Sequence, residues 1–268
     1  MTRDRDALIE RLVAALGAHE AVRGVWLGGS LGRGEGDAYS DVDLVVAVDD
    51  AGREDFLDGW DAVAASIAPI VLSSRLGGGS FAVLNHVTAG WLRFDVSVVR
   101  PAAMSGYTRT GVRTLLDRDG LDATLRPHGE LTPPDARRVA ALTTEFFRVL
   151  GLLPVVVGRQ EYAVGASGAG LLRTMLIQLA TEDVPAEDRG GVLHLRRLLP
   201  ARRMAEIDAL PAIEATRESV VAAHLAAAAL FLPLARDLSA RTGVAWPDTL
   251  ESALRTHLAR ELSLDLPA

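Results

Sequence analysis

The chain of 268 residues contains no cysteine. That excludes a disulfide framework and any thiolate-held metal, and it fits a reducing compartment. Lysine is missing too, since all 28 basic residues are arginine. A P-loop requires a lysine after its second glycine, so this phosphate cradle is excluded. The opening residues, MTRDRDALIERL, lack the apolar stretch of a secretory leader. Long apolar runs are also scarce. The Ala-rich segment 221–232 is interrupted by His224 and followed by Pro233, so no membrane partner is expected. Positive charge is in deficit, with 28 basic against 35 acidic residues and a net charge of −7. This argues against sequence-independent binding to nucleic acid and suits a small or cationic acceptor. The expectation is a soluble, cytoplasmic protein.

What is present is a 49% apolar composition, enough for two modest domains with their own cores. The most informative stretch is Val25 to Val48, VWLGGSLGRGEGDAYSDVDLVVAV. It reads as a strand, a glycine-rich turn closed by Ser30, a loop or short helix, and a second strand. Side chains alternate across a strand, so Val42, Leu44, Val46 and Val48 share one face while Asp41 and Asp43 project from the other. Two carboxylates aimed at one point repel and raise each other's pKa unless a cation sits between them. The pair therefore reads as half of a magnesium site. Glycines let backbone N–H groups approach an anion, and Ser30 adds a hydroxyl donor. A dinucleotide fingerprint is a poor fit, because a strand follows where a long helix is needed.

Gly29 and Ser30, ten further residues, and then Asp41-Val42-Asp43-Leu44 resemble the signature of the nucleotidyltransferase superfamily typified by DNA polymerase beta. The fuller pattern, Gly29-Ser30-x-x-Arg33-Gly34 followed by Ser40-Asp41-x-Asp43, is similar to that of the small-molecule branch acting on aminoglycosides and lincosamides. The resemblance implies that Gly29, Ser30, Arg33 and Ser40 bind the nucleotide, and that Asp41 and Asp43 hold magnesium, two ions being usual in this chemistry. It also implies a third acid from a later strand. Asp95 matches by position and face, as metal ligand, general base or both; the alternative is an exposed polar residue on a half-solvated sheet.

Around this stretch the periodicity predicts a helix over residues 4–21, stopped by Gly24, and a second over about 53–67. Strands are expected at 70–74 and 80–88 around Gly77-Gly78-Gly79, and at 91–99 after an Ala89-Gly90 turn. On the last of these Arg93, Asp95 and Ser97 share a face. Residues 106–131 lose periodicity and read as a linker or excursion between a catalytic domain, 1–105, and a helical acceptor-binding domain, 132–268. Arg109, Arg113 and Arg118 there either line a triphosphate route or stay solvated. Thr132 to Asp135 reads as a capped helix start. A long helix is expected over about 154–181, with Arg159, Tyr162, Ala166, Ala169 and Arg173 close to one face and Glu161, Gly165 and Gly168 beside it. Its small residues leave room for a packed helix or for substrate. Further helices are expected at about 191–209, 211–241 and 247–262, which completes an α+β chain: a mixed sheet with flanking helices, then an all-α bundle.

The implied activity is transfer of AMP from ATP to a hydroxyl of a small, aminoglycoside- or lincosamide-like acceptor, with release of pyrophosphate. Asp95 or Glu161 would take the proton, and Glu161, Tyr162 and Arg159 would meet the acceptor. His194 and His224 are further candidate bases or plain packing residues. An oligomer is compatible with the pattern. A protein or RNA acceptor, and a nucleotide-binding domain without catalysis, are the alternatives.

Overall fold

The computed structural model describes residues 2–78, 81–189 and 194–267. Gly79 of the expected turn, Ser80 at the start of the expected 80–88 strand, and the expected helix start at 191 lie outside the described residues. The chain divides into two compact units, 1–129 and 130–268, and its class is α+β.

Unit 1 runs α1 (Thr2–Ala18), β1 (Val22–Leu27), α2 (Gly29–Gly32), β2 (Val42–Val48), α3 (Arg53–Ile67), β3 (Ile70–Gly78), β4 (Phe81–Thr88), β5 (Arg93–Val99) and β6 (Arg113–Asp117). The strands form one sheet in the order β3-β4-β5-β2-β1-β6. β2 and β5 are parallel and the other pairings antiparallel. The alternation read from β2 sets the layers. Val42, Leu44, Val46 and Val48 pack with Leu8, Leu12 and Leu16 of α1 and Phe56 and Trp60 of α3. On the opposite face Val45, Ala47 and Val99 pack with Trp26, Met104, Val112 and Leu125.

Two expectations for unit 1 are corrected. The first helix ends at Ala18, and Gly24 lies inside β1, where a Cβ would meet the Trp26 ring at 2.2 Å. Gly24 is thus a packing requirement of the buried indole. The linker reading of residues 106–131 also gives way to the excursion, because Arg113–Asp117 forms β6, which pairs with β1. The open edge of β1 provides the hydrogen bonds that the local sequence does not advertise. The segment is pinned by Asp122, which accepts from Trp26 Nε1 at 2.7 Å and from Thr114 Oγ1 at 2.8 Å. Arg109 donates to the Asp122 carbonyl and Arg118 to those of His19 and Val22, which gives both arginines a structural task.

Unit 2 contains α4 (Ala136–Leu150), α5 (Leu153–Arg159), α6 (Tyr162–Glu182), α7 (Leu195–Leu198), α8 (Ala201–Asp208), α9 (Arg217–Thr242) and α10 (Asp248–Leu262). Asp135 caps α4, accepting from the N–H groups of Arg137 and Arg138. Phe146 stacks on Phe231 at 3.8 Å in the core. The expected single helix over 154–181 is two helices, broken where Gln160 takes a left-handed φ of 58°. At Gly165 the choice between packing and substrate room goes to packing, since a Cβ would lie 2.7 Å from Val156 and 2.8 Å from Val220. The expectation about apolar runs is corrected as well. Ala136–Arg159, Tyr162–Glu182 and Arg217–Thr242 are each long and apolar enough, by length and composition, to cross a membrane. Alanine, glycine and valine keep these stretches apolar without an unbroken run of large residues. Buried residues of α4, α6 and α9 share one core.

Candidate active site

The site grows from the parallel pairing of β2 with β5. Asp43 stands opposite Asp95 in register, and partners on neighbouring strands about 4.8 Å apart project from the same face. Asp41, two residues before Asp43, shares that face. The same register brings Arg93 beside Asp41, and its guanidinium donates to Asp41 Oδ1 at 2.5 Å. Burial pushes the Asp43 carboxyl above its ordinary pKa, and the charges of Asp95 and Asp41 push it further, while Arg33 and Arg93 pull it down. Asp41, Asp43 and Asp95 therefore share one face of the sheet.

The glycine turn lies directly against this pair. Gly28 N donates to the carbonyl of Asp43 at 2.7 Å, which ties the turn to β2. Gly29 has φ of 54°, and a Cβ on it would fall 1.9 Å from Asp43 Oδ2. Only glycine fits that position, on backbone and on space alike. Ser30 follows in the one-turn helix α2 and is buried.

The remaining expected residues are placed as follows. Arg33 pairs with Glu35 at 3.0 Å and is close enough to Asp43 to act on its carboxyl. Ser40 turns into its own loop: its hydroxyl accepts from Asp37 N at 2.9 Å and donates to Asp37 Oδ1 at 3.1 Å. Arg159, Glu161 and Tyr162 lie in unit 2 at the break between α5 and α6, with Glu161 the exposed residue preceding α6. Sequence reasoning missed two arginines. Arg5 of α1 is buried and donates to the carbonyls of Asp37 and Ser40, bracing the loop that leads into Asp41. Arg93 was read only as a neighbour of Asp95; its spacing of two from that acid was the available signal.

Residues 9–71 match the family model for a nucleotidyltransferase domain. Unit 1 carries a nucleotidyltransferase domain. Two solved structures are similar to the chain at low identity. One is an aminoglycoside 6-adenyltransferase from Bacillus subtilis, with 15% identity and a TM-score of 0.41 over 94% of this chain and 95% of that one. The other is a nucleotidyltransferase-like protein from Exiguobacterium sibiricum, with 11% identity and a TM-score of 0.30 over 95% of this chain and 87% of that one. None of the curated proteins compared with the chain matches it.

In this domain the donor set suits a hard divalent cation, because carboxylate oxygens are the ligands such ions take. Burial is the first cause of the raised Asp43 pKa, and the repulsion from Asp95 and Asp41 that adds to it is what a cation would relieve. Among the described residues no group of three or more acids or histidines is drawn together as a ready metal cluster. Asp41 is paired with Arg93, and Asp43 and Asp95 stand opposite each other in register.

Proposed function

We propose that this nucleotidyltransferase transfers AMP from ATP to a hydroxyl of a small molecule and releases pyrophosphate. The observation that carries the reading is Asp43 opposite Asp95, on the face that Gly29 approaches so closely. The acceptor oxygen bonds to the α-phosphorus while the bond from that phosphorus to the α–β bridging oxygen breaks. Pyrophosphate departs with the electron pair, and the acceptor proton passes to Asp95. Asp41, Asp43 and Asp95 are the residues that would hold magnesium, two ions by resemblance; bound there, the ions would offset charge growing on the phosphate oxygens. The chain's own part is positional. The Gly28–Ser30 turn and the Ser30 hydroxyl would hold the terminal phosphates, and Arg33 would add a charge-assisted contact.

A cationic, polyhydroxylated acceptor of aminoglycoside or lincosamide type fits the net charge of −7. On unit 2 we assign Arg159, Glu161 and Tyr162 to the acceptor, supported by the exposure of the α5–α6 turn. The test is pyrophosphate release from ATP, GTP, CTP and UTP against a panel of such acceptors, with and without magnesium. Asp41→Asn and Asp43→Asn should each abolish magnesium-dependent release while the melting temperature holds. Turnover retained in both variants overturns the reading.

A further inference from the structure

Among the described residues, β3 is an edge strand of nine residues that pairs only with β4. An edge strand presents a row of unpaired N–H and C=O groups, and natural edges are normally short, charged or covered. Residues 71–77 are all exposed, Leu72 at 51% and Leu76 at 62%, and Phe81 at the start of β4 is exposed beside them.

We propose that β3 is the contact through which two copies of this chain pair, antiparallel and centred on Ser74. A two-fold axis perpendicular to the sheet leaves each face on its own side, so a residue can oppose only one pointing the same way. That leaves few registers. Centring on Arg75 places two guanidinium groups directly opposite, which is destabilising. Centring on Ser73 sets Leu72 against serine. Centring on Ser74 sets Leu72 of each copy against Leu76 of the other, on the face that carries Asp43 and Asp95, because Ser74, Asn85, Asp95 and Asp43 follow one another across the four strands.

The opposite face fits the same register by charge. Ser73 Oγ donates to Asp61 at 2.8 Å, and Arg75 of the second copy would stand opposite Ser73, next to that carboxylate. Within its own copy Arg75 makes a long contact to Asp58, at 4.0 Å. One register thus pairs both exposed leucines and both charges, and it joins the two sheets with their carboxylate faces on the same side. Stable interfaces bury roughly 1,200–2,000 Å², and one strand pair lies at the low end, so the dimer should be concentration-dependent.

The experiment uses the full chain and its lack of cysteine. Under mild oxidation Ser74→Cys should trap a covalent dimer on a non-reducing gel, because residues directly opposite in an antiparallel pair have Cβ atoms about 4.5–5.5 Å apart, close to disulfide reach. Ser73→Cys, which meets Arg75 rather than itself, should not. Sedimentation of the unaltered protein from about 1 to 200 µM should show a monomer–dimer equilibrium that Leu76→Glu weakens at least tenfold at unchanged melting temperature. A wild-type monomer throughout that range, a dimer indifferent to Leu76→Glu, or equal cross-linking of Ser73→Cys and Ser74→Cys would overturn the proposal.

Discussion

Oδ2 of Asp43 lies where a side chain on Gly29 would begin, 1.9 Å from the position of its Cβ. Gly29→Ala therefore forces either the turn or the carboxylate to move. The left-handed φ adds roughly 1–2 kcal/mol for a residue with a Cβ, and overpacking adds about 1–3 kcal/mol. The variant should melt several degrees lower and lose at least a hundredfold in pyrophosphate release. Gly28→Ala is the control, since its Cβ would sit at an ordinary 3.6 Å from Val45 and its φ is −106°. Equal melting temperatures for the two variants would contradict this account.

Asp43 opposite Asp95 also couples stability to activity. Like charges directly opposite across strands destabilise by about 0.2–1 kcal/mol, so Asp95→Asn should raise the melting temperature in metal-free buffer while abolishing turnover. The pH dependence follows from the raised pKa of Asp43, caused by burial and then by Asp95 and Asp41. Between its unfolded and folded pKa values this group binds more protons folded than unfolded, so its contribution to stability falls as pH rises. Asp95→Asn should flatten that part of the stability profile; a steeper profile would refute the repulsion.

The site was largely legible because its logic is local. A strand alternates with a period of two, so Asp41 and Asp43 had to share a face, and Val42 to Val48 had to supply the other. What the chain does not write locally had to come from the structure. Arg5 reads as one charge among several on an amphipathic helix, yet it reaches across 32 residues to brace the loop at Asp37. β6, with the sequence RTLLD, has no alternation of its own and becomes a strand because β1 has a free edge. The break at Gln160 is invisible for the opposite reason: the residues on both sides favour helix, and a single left-handed residue separates the two helices.

His86 makes an acid-sensitive contact in unit 1. It is buried, its Nε2 accepts from Trp60 Nε1 at 3.2 Å, and its ring stacks on Phe94 at 4.7 Å. Protonating Nε2 would turn that acceptor into a donor facing a donor. Burial holds the imidazole below its ordinary pKa, outweighing the Leu84 carbonyl and Asp61. Because the unfolded state then binds the proton more readily, stability should drop as pH falls from about 6.5 toward the lower folded value. His86→Asn retains an acceptor and does not titrate, so melting curves between about pH 7.5 and 5 should diverge from wild type only on the acid side. Parallel curves would sink the assignment.

In unit 2 one buried carboxylate ties two helices and an indole together. Glu251 of α10 accepts from Trp246 Nε1 at 2.6 Å and from Arg255 Nε at 2.9 Å, and it pairs with Arg236 of α9. Arg236 in turn lies over the Trp246 ring, 4.5 Å from its centroid. Burial alone would raise the Glu251 pKa, but the bonds from Trp246, Arg255 and Arg236 outweigh it and hold the carboxyl low. A depressed folded pKa gives stability that is present above the ordinary carboxylate range and lost as pH falls through the folded value. Losing one partner of a fully buried pair costs about 3–5 kcal/mol; because both arginines are partly exposed, Glu251→Ala should cost less, about 1–3 kcal/mol by the weaker pairing of exposed ions. Glu251→Gln keeps an acceptor for the indole and should recover part of the loss near neutral pH. A Glu251→Ala variant that melts with the wild type would mean that the helices are held by their apolar contacts alone.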